Sequence, residues 1–311
     1  MNETASLTIL LTGGAGFLGK HITAFHESIG NKVVTLGRER NNTLVTDLSN
    51  TVPDLSNYTF DYVIHAAGKA HVVPQNQAEE QEFFDVNYWG TINLLAGLEK
   101  CPTLPKGVVL ISTVAVYGLD SGELIKESQP LAASEPYGKS KIQAEEAVKD
   151  WGVKHGVSAA ALRLPLVAGT NPPGNLGAMI SGISKGFYLS IGEADARKSI
   201  VLANDVAKIA VKAAQVGGIY NLSDGHHPNF EELETLISQQ LGKKKPIKIP
   251  YFVAKMLAWA GDAFFFVTRR RFPINSRALS KITSPLTFDD TLARQQLGWK
   301  PTGVLQGFKI K

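Results

Sequence analysis

Five short runs of the chain are apolar almost without a break: SLTILLT, NKVVTL, FDYVIHAA, GVVLIST and SAAALRL. Between them lie stretches whose apolar residues recur at helical spacing, among them Glu79 to Lys100 and Tyr137 to His155. A strand with no polar face has nothing to offer water, so it must be covered on both sides. Strands of this kind alternating with helices predict a parallel sheet with helices on both faces. After Arg163 the pattern changes. LPLVAGTNPPGNLG, rich in Pro and Gly, is read as leaving the sheet, GIYNLSDG as a return strand, and helical segments follow a lysine-rich turn, GKKKP. No internal repeat or low-complexity tract interrupts this order.

The expected fold is therefore α/β. A doubly wound parallel sheet takes residues 1–163 with a return segment at about 199–225, and a smaller, discontinuous lobe takes 164–198 and 226–311. With 311 residues, 44% hydrophobic and 19% charged, the chain suits one large domain carrying a lobe, or two domains. A net charge of +4 suits an anionic small molecule but is too dispersed for nucleic acid. Cys101 is the only cysteine, which excludes an internal disulfide or thiolate cluster and points to a reducing, cytoplasmic setting. The first apolar run has no basic leader and breaks into glycines, unlike a signal peptide. PYFVAKMLAWAGDAFFFV is interrupted by Lys255, Gly261 and Asp262, so no membrane span is expected.

TGGAGFLG sets Gly13, Gly16 and Gly19 three residues apart between the first strand and a helix opening with Phe17 and Leu18. Glycines there permit the tight turn, let backbone approach a pyrophosphate and let the helix pack on the strand. The helix amides then meet the phosphate charge. This makes the sheet a Rossmann-type, dinucleotide-binding one. An NAD site usually ends the second strand with a carboxylate for the ribose 2′-hydroxyl. VVTLGRER offers Gly37 and then Arg38, whose guanidinium suits a 2′-phosphate. The expected cofactor is NADP, with NAD the alternative. Asp47, followed by Leu48, either reaches the adenine or caps a turn. Ala66, Ala67 and Gly68 close the fourth strand with side chains small enough for a flat cofactor. His65 is read as a packed strand residue, with no metal partners nearby.

EPYGKSK places Tyr137 and Lys141 on one face at the start of a helix, with Ser134 as N-cap and Pro136 in the first turn. Ala144, Ala147, Val148 and Trp151 continue as an apolar stripe, and Gly152 is expected to close the helix. A phenol is a poor base at neutral pH. A nearby Lys141 cation, or an oxidised nicotinamide, would lower its pKa, and the lysine could also donate to the nicotinamide ribose. LISTVAVYG supplies a third hydroxyl, either Ser112 or Thr113.

These residues resemble the extended short-chain dehydrogenase/reductases, the NAD-dependent epimerase/dehydratase family that modifies nucleotide sugars. The matching motifs are TGGAGFLG, DL at Asp47, HAAG, VNYWGTINLL, STVAVYG, YGKSK, LRLPLVAG, YNLSDG and ARQQLGWKP, from residue 9 to about 301. The resemblance implies Thr113 as active-site hydroxyl, Tyr137 as acid/base and Lys141 as its supporting cation. It also implies a stabilising role for Asn87 and places Asn175, unless it is merely a turn asparagine, near the substrate diphosphate; the family's arginine is altered here, so either Arg197 or Lys198 is the cation that contacts it. Val114 and Ala115 stand where family dehydratases carry acids, which disfavours dehydration, since elimination needs an acid and a base. Hydride transfer at one carbinol, C4 in the similar enzymes, is what remains.

Arg38 favours a one-way 4-ketoreductase using NADPH, with an NAD-retaining 4-epimerase as the alternative. AFFFVTRRRF reads as a packed helix with an exposed basic end; its other reading is a membrane-docking surface for a lipid-linked sugar. A non-catalytic dinucleotide sensor or RNA-binding protein would need neither Tyr137 nor Lys141. The expected partner is a nucleotide sugar, and a homodimer stays open.

Overall fold

Ile9 to Thr12 are buried in succession, the signature of a strand with helices on both faces. In the computed structural model, which describes residues 6–70, 72–192, 195–268 and 275–310, that strand, β1 (Thr8–Thr12), opens the sheet and leads into α1 (Phe17–Ser28). There follow β2 (Lys32–Gly37), β3 (Leu44–Val45), β4 (Tyr62–His65), α2 (Gln77–Phe84), a π-helical turn at Asp85–Trp89, α3 (Gly90–Leu98) and β5 (Gly107–Thr113). A 3₁₀ turn at Val114–Tyr117, β6 (Gly122–Ile125), α4 (Pro136–His155) and β7 (Ser158–Leu164) continue the chain. The rest comprises β8 (Leu166–Ala168), α5 (Gly174–Lys185), β9 (Leu189–Ile191), β10 (Ile200–Leu202), α6 (Ala203–Val216), β11 (Gly218–Asn221) and α7 (Phe230–Gln240). Last come β12 (Ile247–Ile249), α8 (Tyr251–Thr268), α9 (Ser276–Thr283), β13 (Leu286–Phe288), α10 (Thr291–Leu297) and α11 (Val304–Gly307).

Seven strands form one parallel sheet in the order β11-β7-β5-β4-β1-β2-β3. The chain moves outward from β1 in both directions, so β1 and β4 flank the point where the order reverses. Ligands of open α/β sheets bind at the carboxyl ends of such strands. One core, around Leu11, Ile64, Ala210 and Tyr220, fills one face; a second, around Leu36, Leu94, Leu110 and Trp151, fills the other. GIYNLSDG is β11, the return strand, paired with β7. A third cluster joins Leu176, Met179 and Ile183 of α5 to Leu233 and Ile237 of α7, with Ile200 and Leu202 of β10.

Two features of α4 differ from the sequence reading. Glu135, not Ser134, is the N-cap, with extended backbone before Pro136. The helix runs through Gly152 to His155 and stops at Gly156, whose φ of 66° is the left-handed conformation that ends helices. Gly152 serves packing instead: a Cβ there would stand 2.5 Å from Ala159 Cβ on β7.

α8 differs too. Its small residues Ala254 and Ala258 pack with Leu279 of α9, whereas Phe252, Met256 and Trp259 are 65%, 62% and 58% exposed. Within AFFFVTRRRF itself, Phe264 and Phe266 are 44% and 74% exposed, which departs from the packed-helix reading. The basic end of AFFFVTRRRF, at Arg269 to Arg271, lies outside the described residues.

Candidate active site

The loop after β1 is built so that nothing projects from it. A Cβ on Gly13, where φ is +72°, would meet Ala67 N at 2.7 Å, and one on Gly19 would meet Gly13 O at 2.1 Å. Backbone from β1, α1 and the loop after β4 thus approaches as closely as atoms permit. Gly16 caps α1 without any side-chain bond, and Phe17 and Leu18 form its first turn, so the leading amides stay available to an anion. Ala66 and Ala67 are half-buried and Gly68 exposed beside them. This small-residue, uncapped cradle at the switch point fits a dinucleotide pyrophosphate.

The outer residues behave differently. Arg38 is exposed just beyond β2, while Gly37 packs against Asn42. Asp47 caps a turn, accepting from Ser49 N at 3.0 Å and Ser49 Oγ at 2.7 Å. Leu48 is buried in the core, and its carbonyl accepts from Asn93 at 2.8 Å.

At the end of β5 the two candidate hydroxyls part company. Ser112 turns inward and donates to the buried carboxylate of Glu145. Thr113 faces the Tyr137 phenol closely enough to favour its ionised form, and accepts from Ala115 N at 3.2 Å. Thr113 is therefore the hydroxyl that shares the site with Tyr137. Lys141 is 4% exposed, donates to Ile111 O at 2.8 Å, and has its amine next to Gly68.

Burial pushes the Tyr137 phenol above its ordinary value, and the neighbouring Thr113 hydroxyl pulls it back only in part. Burial likewise lowers Lys141 to about 8, against the opposing pull of Glu145. The expected lowering of the phenol by Lys141 is thus not what the structure shows. Desolvation dominates both groups.

Behind the pair runs a rail of hydrogen bonds. Asn87, presented by the π-helical turn, accepts from Lys69 N at 2.8 Å and donates to Ser140 at 2.9 Å. Ser140 in turn donates to the Tyr137 carbonyl at 2.8 Å. Thr91 gives its hydrogen to Asn87 O at 2.6 Å, so it accepts from His65 Nε2 at 2.9 Å. His65 Nδ1 must then accept from Thr12 at 2.6 Å, leaving the Thr12 oxygen to receive Ala67 N at 3.1 Å. This fixes a neutral Nε2–H imidazole. Its pKa falls to about 3 through burial and, second, the Lys141 charge. His65 is a structural link between β1, β4 and α3, as a packed strand residue should be.

The sequence model of the NAD-dependent epimerase/dehydratase family matches residues 9–223. The chain belongs to the NAD-dependent epimerase/dehydratase family. A relative in Escherichia coli O157:H7, named N-acetyl-α-D-glucosaminyl-diphospho-undecaprenol 4-epimerase, is 29% identical over 67% of this chain and 64% of its own length. A UDP-glucose 4-epimerase of Vibrio cholerae is 26% identical over 97% of this chain and 93% of its own. Among solved structures, a Thermus thermophilus UDP-glucose 4-epimerase in complex with NAD superposes with a TM-score of 0.67 at 20% identity, covering 97% of this chain and 99% of that one. The last comparison speaks for the fold alone.

In this member of the family, the motif reading missed a second buried layer under the candidate site. Arg163 of β7 donates to Glu145 of α4 through Nη2 at 2.7 Å and Nε at 3.1 Å. Its other arm reaches the Tyr117 hydroxyl at 3.0 Å, which donates to Asn221 at 2.7 Å. Asn221 also draws in Glu127, whose carboxylate accepts from Asn221 N at 2.8 Å and is pushed up by burial. The signals were an acid one turn beyond Lys141 on the apolar stripe, and an arginine inside the otherwise apolar SAAALRL.

The candidate substrate contacts are spread out. Asn175 is exposed in the first turn of α5. Arg197 is exposed and donates to His227 O at 3.1 Å. Lys198 is half-buried, donates to Ser284 O at 2.8 Å and is lowered to about 8, chiefly by burial, with Asp120 opposing. Asp120 also pairs with Lys281 of α9 at 3.1 Å, and Arg277 of α9 pairs with Glu135 at 2.9 Å. Lys198 therefore sits in a charged clasp that reaches the start of α4, and Arg197 lies outside it.

Proposed function

We propose that the protein is a 4-epimerase of a nucleotide-linked sugar. The observation that carries this reading is the Thr113 hydroxyl set against the Tyr137 phenol, which it draws down in pKa, beside a buried Lys141 at the mouth of the glycine cradle. The Vibrio cholerae and Escherichia coli relatives are both named 4-epimerases. That moves the preferred reading from the 4-ketoreductase expected on sequence to the 4-epimerase.

In this mechanism Thr113 holds the C4 oxygen of the sugar and Tyr137 takes its proton, returning it after the 4-keto sugar has presented its other face. When bound, the nicotinamide supplies the acceptor and donor of the C4 hydride, and its oxidised ring adds the positive charge that favours a phenolate. Without that charge Tyr137 keeps its proton, because burial holds its pKa up. Lys141 and the backbone at Ala66 to Gly68 would hold the nicotinamide ribose, and Gly13 to Gly19 the pyrophosphate. Rigid support from Asn87 and Ser140 keeps the phenol in register with Thr113, which is where positioning contributes to rate. Val114 and Ala115, in the 3₁₀ turn after Thr113, supply no proton for elimination, so dehydration stays disfavoured.

The Escherichia coli relative acts, by its name, on a sugar diphosphate carried by undecaprenol. The diphosphate is the group common to both carriers, and Lys198 with Asn175 is proposed to grip it. The proposed cofactor is a retained NAD. One observation favours the reductase reading: Arg38 is exposed at the end of β2, with no acid at Gly37, and so suits a 2′-phosphate. The test is to incubate the protein with UDP-glucose or UDP-N-acetylglucosamine, add no dinucleotide, and follow the anomeric and H4 signals by NMR. Appearance of the C4 epimer is expected. Failure with both sugars, together with NADPH consumption on a 4-keto sugar, would establish the reductase instead.

A further inference from the structure

The outward half of α8 has no chemistry that belongs in water. With 100° per residue, Ala254 and Ala258 define the packed side. The opposite half-turn carries Phe252, Val253, Met256, Trp259 and Ala260, with no charge among them. Phe252, Met256 and Trp259 are each more than half exposed. Ile247 and Leu189, register partners in the β9–β12 ribbon beside it, add exposures of 73% and 41%. An apolar face of this extent marks an interaction surface rather than scattered surface residues.

The surroundings of the face are basic. Lys243, Lys244 and Lys245 are exposed in the turn leading to β12, and Lys255 stands 5.2 Å over the Trp259 ring at the edge of the apolar arc. The helix's one acid, Asp262, is engaged by Ser276 at the start of α9. Lys248 is the exception among the nearby lysines, since it pairs with Glu231 at 3.0 Å. Aromatics rimmed by lysines match the chemistry of an interfacial helix, with apolar side chains among acyl chains and ammonium groups among lipid phosphates. Two copies of this chain meeting on the same face would bring like-charged lysine turns together, whereas an anionic bilayer meets them with opposite charge. Among the described residues no helix is long and apolar enough to cross a membrane.

We propose that α8 docks the protein on the surface of an anionic phospholipid bilayer, lying in the interface with Phe252, Met256 and Trp259 inserted. Tyr251, the first residue of α8, also lines a cavity of about 660 Å³ with Gly192, Ile249 and Thr283. Docking holds that cavity beside the bilayer. The inference does not depend on which sugar reaction the protein performs.

Cosedimentation of the full chain with phosphatidylcholine vesicles, with and without one-third phosphatidylglycerol, tests it. The wild type is expected to pellet with the anionic vesicles, less so as salt is raised. The double variant Phe252→Glu, Met256→Glu should lose about tenfold or more of that partition while keeping its melting temperature, because both side chains are exposed. Trp259→Phe gives a second readout: the blue shift of tryptophan emission on adding anionic vesicles should vanish. A wild type that stays in the supernatant with both lipids overturns the proposal. So does a double variant that pellets equally well, or light scattering that shows a dimer in solution which the double variant converts to monomer.

Discussion

Replacing Lys141 by Met should make the protein more stable, although it removes a residue proposed to hold the cofactor. The ammonium is 4% exposed, and its pKa falls from 10.5 to about 8 chiefly through burial. At about 1.4 kcal/mol per unit, that shift means keeping the charge buried at neutral pH costs the fold about 3 kcal/mol. Methionine has a similar unbranched length and no charge, but it abandons the 2.8 Å bond to Ile111 O. Losing that bond takes back about 1 kcal/mol, leaving a gain of about 2 kcal/mol. For a chain of this size the gain corresponds to a rise in melting temperature of about 4 °C.

The pH dependence has a definite sign. Between pH 8 and 10.5 the unfolded lysine still holds a proton that the native one has shed, so wild-type stability rises with pH across that window. The advantage of the variant should be constant below pH 8 and shrink above it. Scanning calorimetry of both proteins, stripped of dinucleotide, from pH 6 to about 10 measures this directly. A Lys141→Met protein that melts below the wild type at neutral pH would refute the reasoning, as would a difference that does not narrow above pH 8.

Other outcomes follow from the same geometry. Tyr137→Phe should keep the fold and lower turnover by about 10²–10⁴-fold, measured as kcat on the accepted sugar. Thr113→Ser should be mild and Thr113→Val severe by the same assay, because the hydroxyl facing Tyr137 is what matters. Glu145→Gln leaves the 2%-exposed Arg163 without its counter-charge, and chemical denaturation should show a loss of about 3–5 kcal/mol. Arg38→Ala should weaken NADP(H) without affecting NAD(H) if the guanidinium grips a 2′-phosphate; equal affinity for both dinucleotides in wild type, by calorimetric titration, removes the case for the reductase.

The fold was legible where burial writes itself into the pattern. β1, β4, β5 and β7 are runs that tolerate no water on either face, and the glycines after β1 stand where any Cβ would collide. Tyr137 and Lys141 were legible because helical spacing alone puts them on one face. Choosing between Ser112 and Thr113 was not possible from order along a strand, since alternate residues face opposite ways and the sheet's two sides look alike in sequence. What decides it is Glu145, a buried acid that claims Ser112. The charge balance around Tyr137 was misread for a related reason. Proximity of a cation can be inferred from spacing, but desolvation depends on everything packed around the group. α8 misled because its hydrophobicity suits burial, while Ala254 and Ala258 are buried and Phe252, Met256 and Trp259 are more than half exposed.

In a 4-epimerase one site removes and restores the same hydrogen at C4. The most direct measurement incubates the accepted nucleotide sugar, deuterated at C4, with protein to which no dinucleotide has been added, and follows product by NMR and mass spectrometry. An equilibrium mixture of C4 epimers that retain the deuterium is expected, with NAD released when the protein is denatured. No epimer from the deuterated sugar, together with product formed from the matching 4-keto sugar only when NADPH is added, carrying the NADPH hydrogen at C4 with one dinucleotide consumed per turnover, would contradict it.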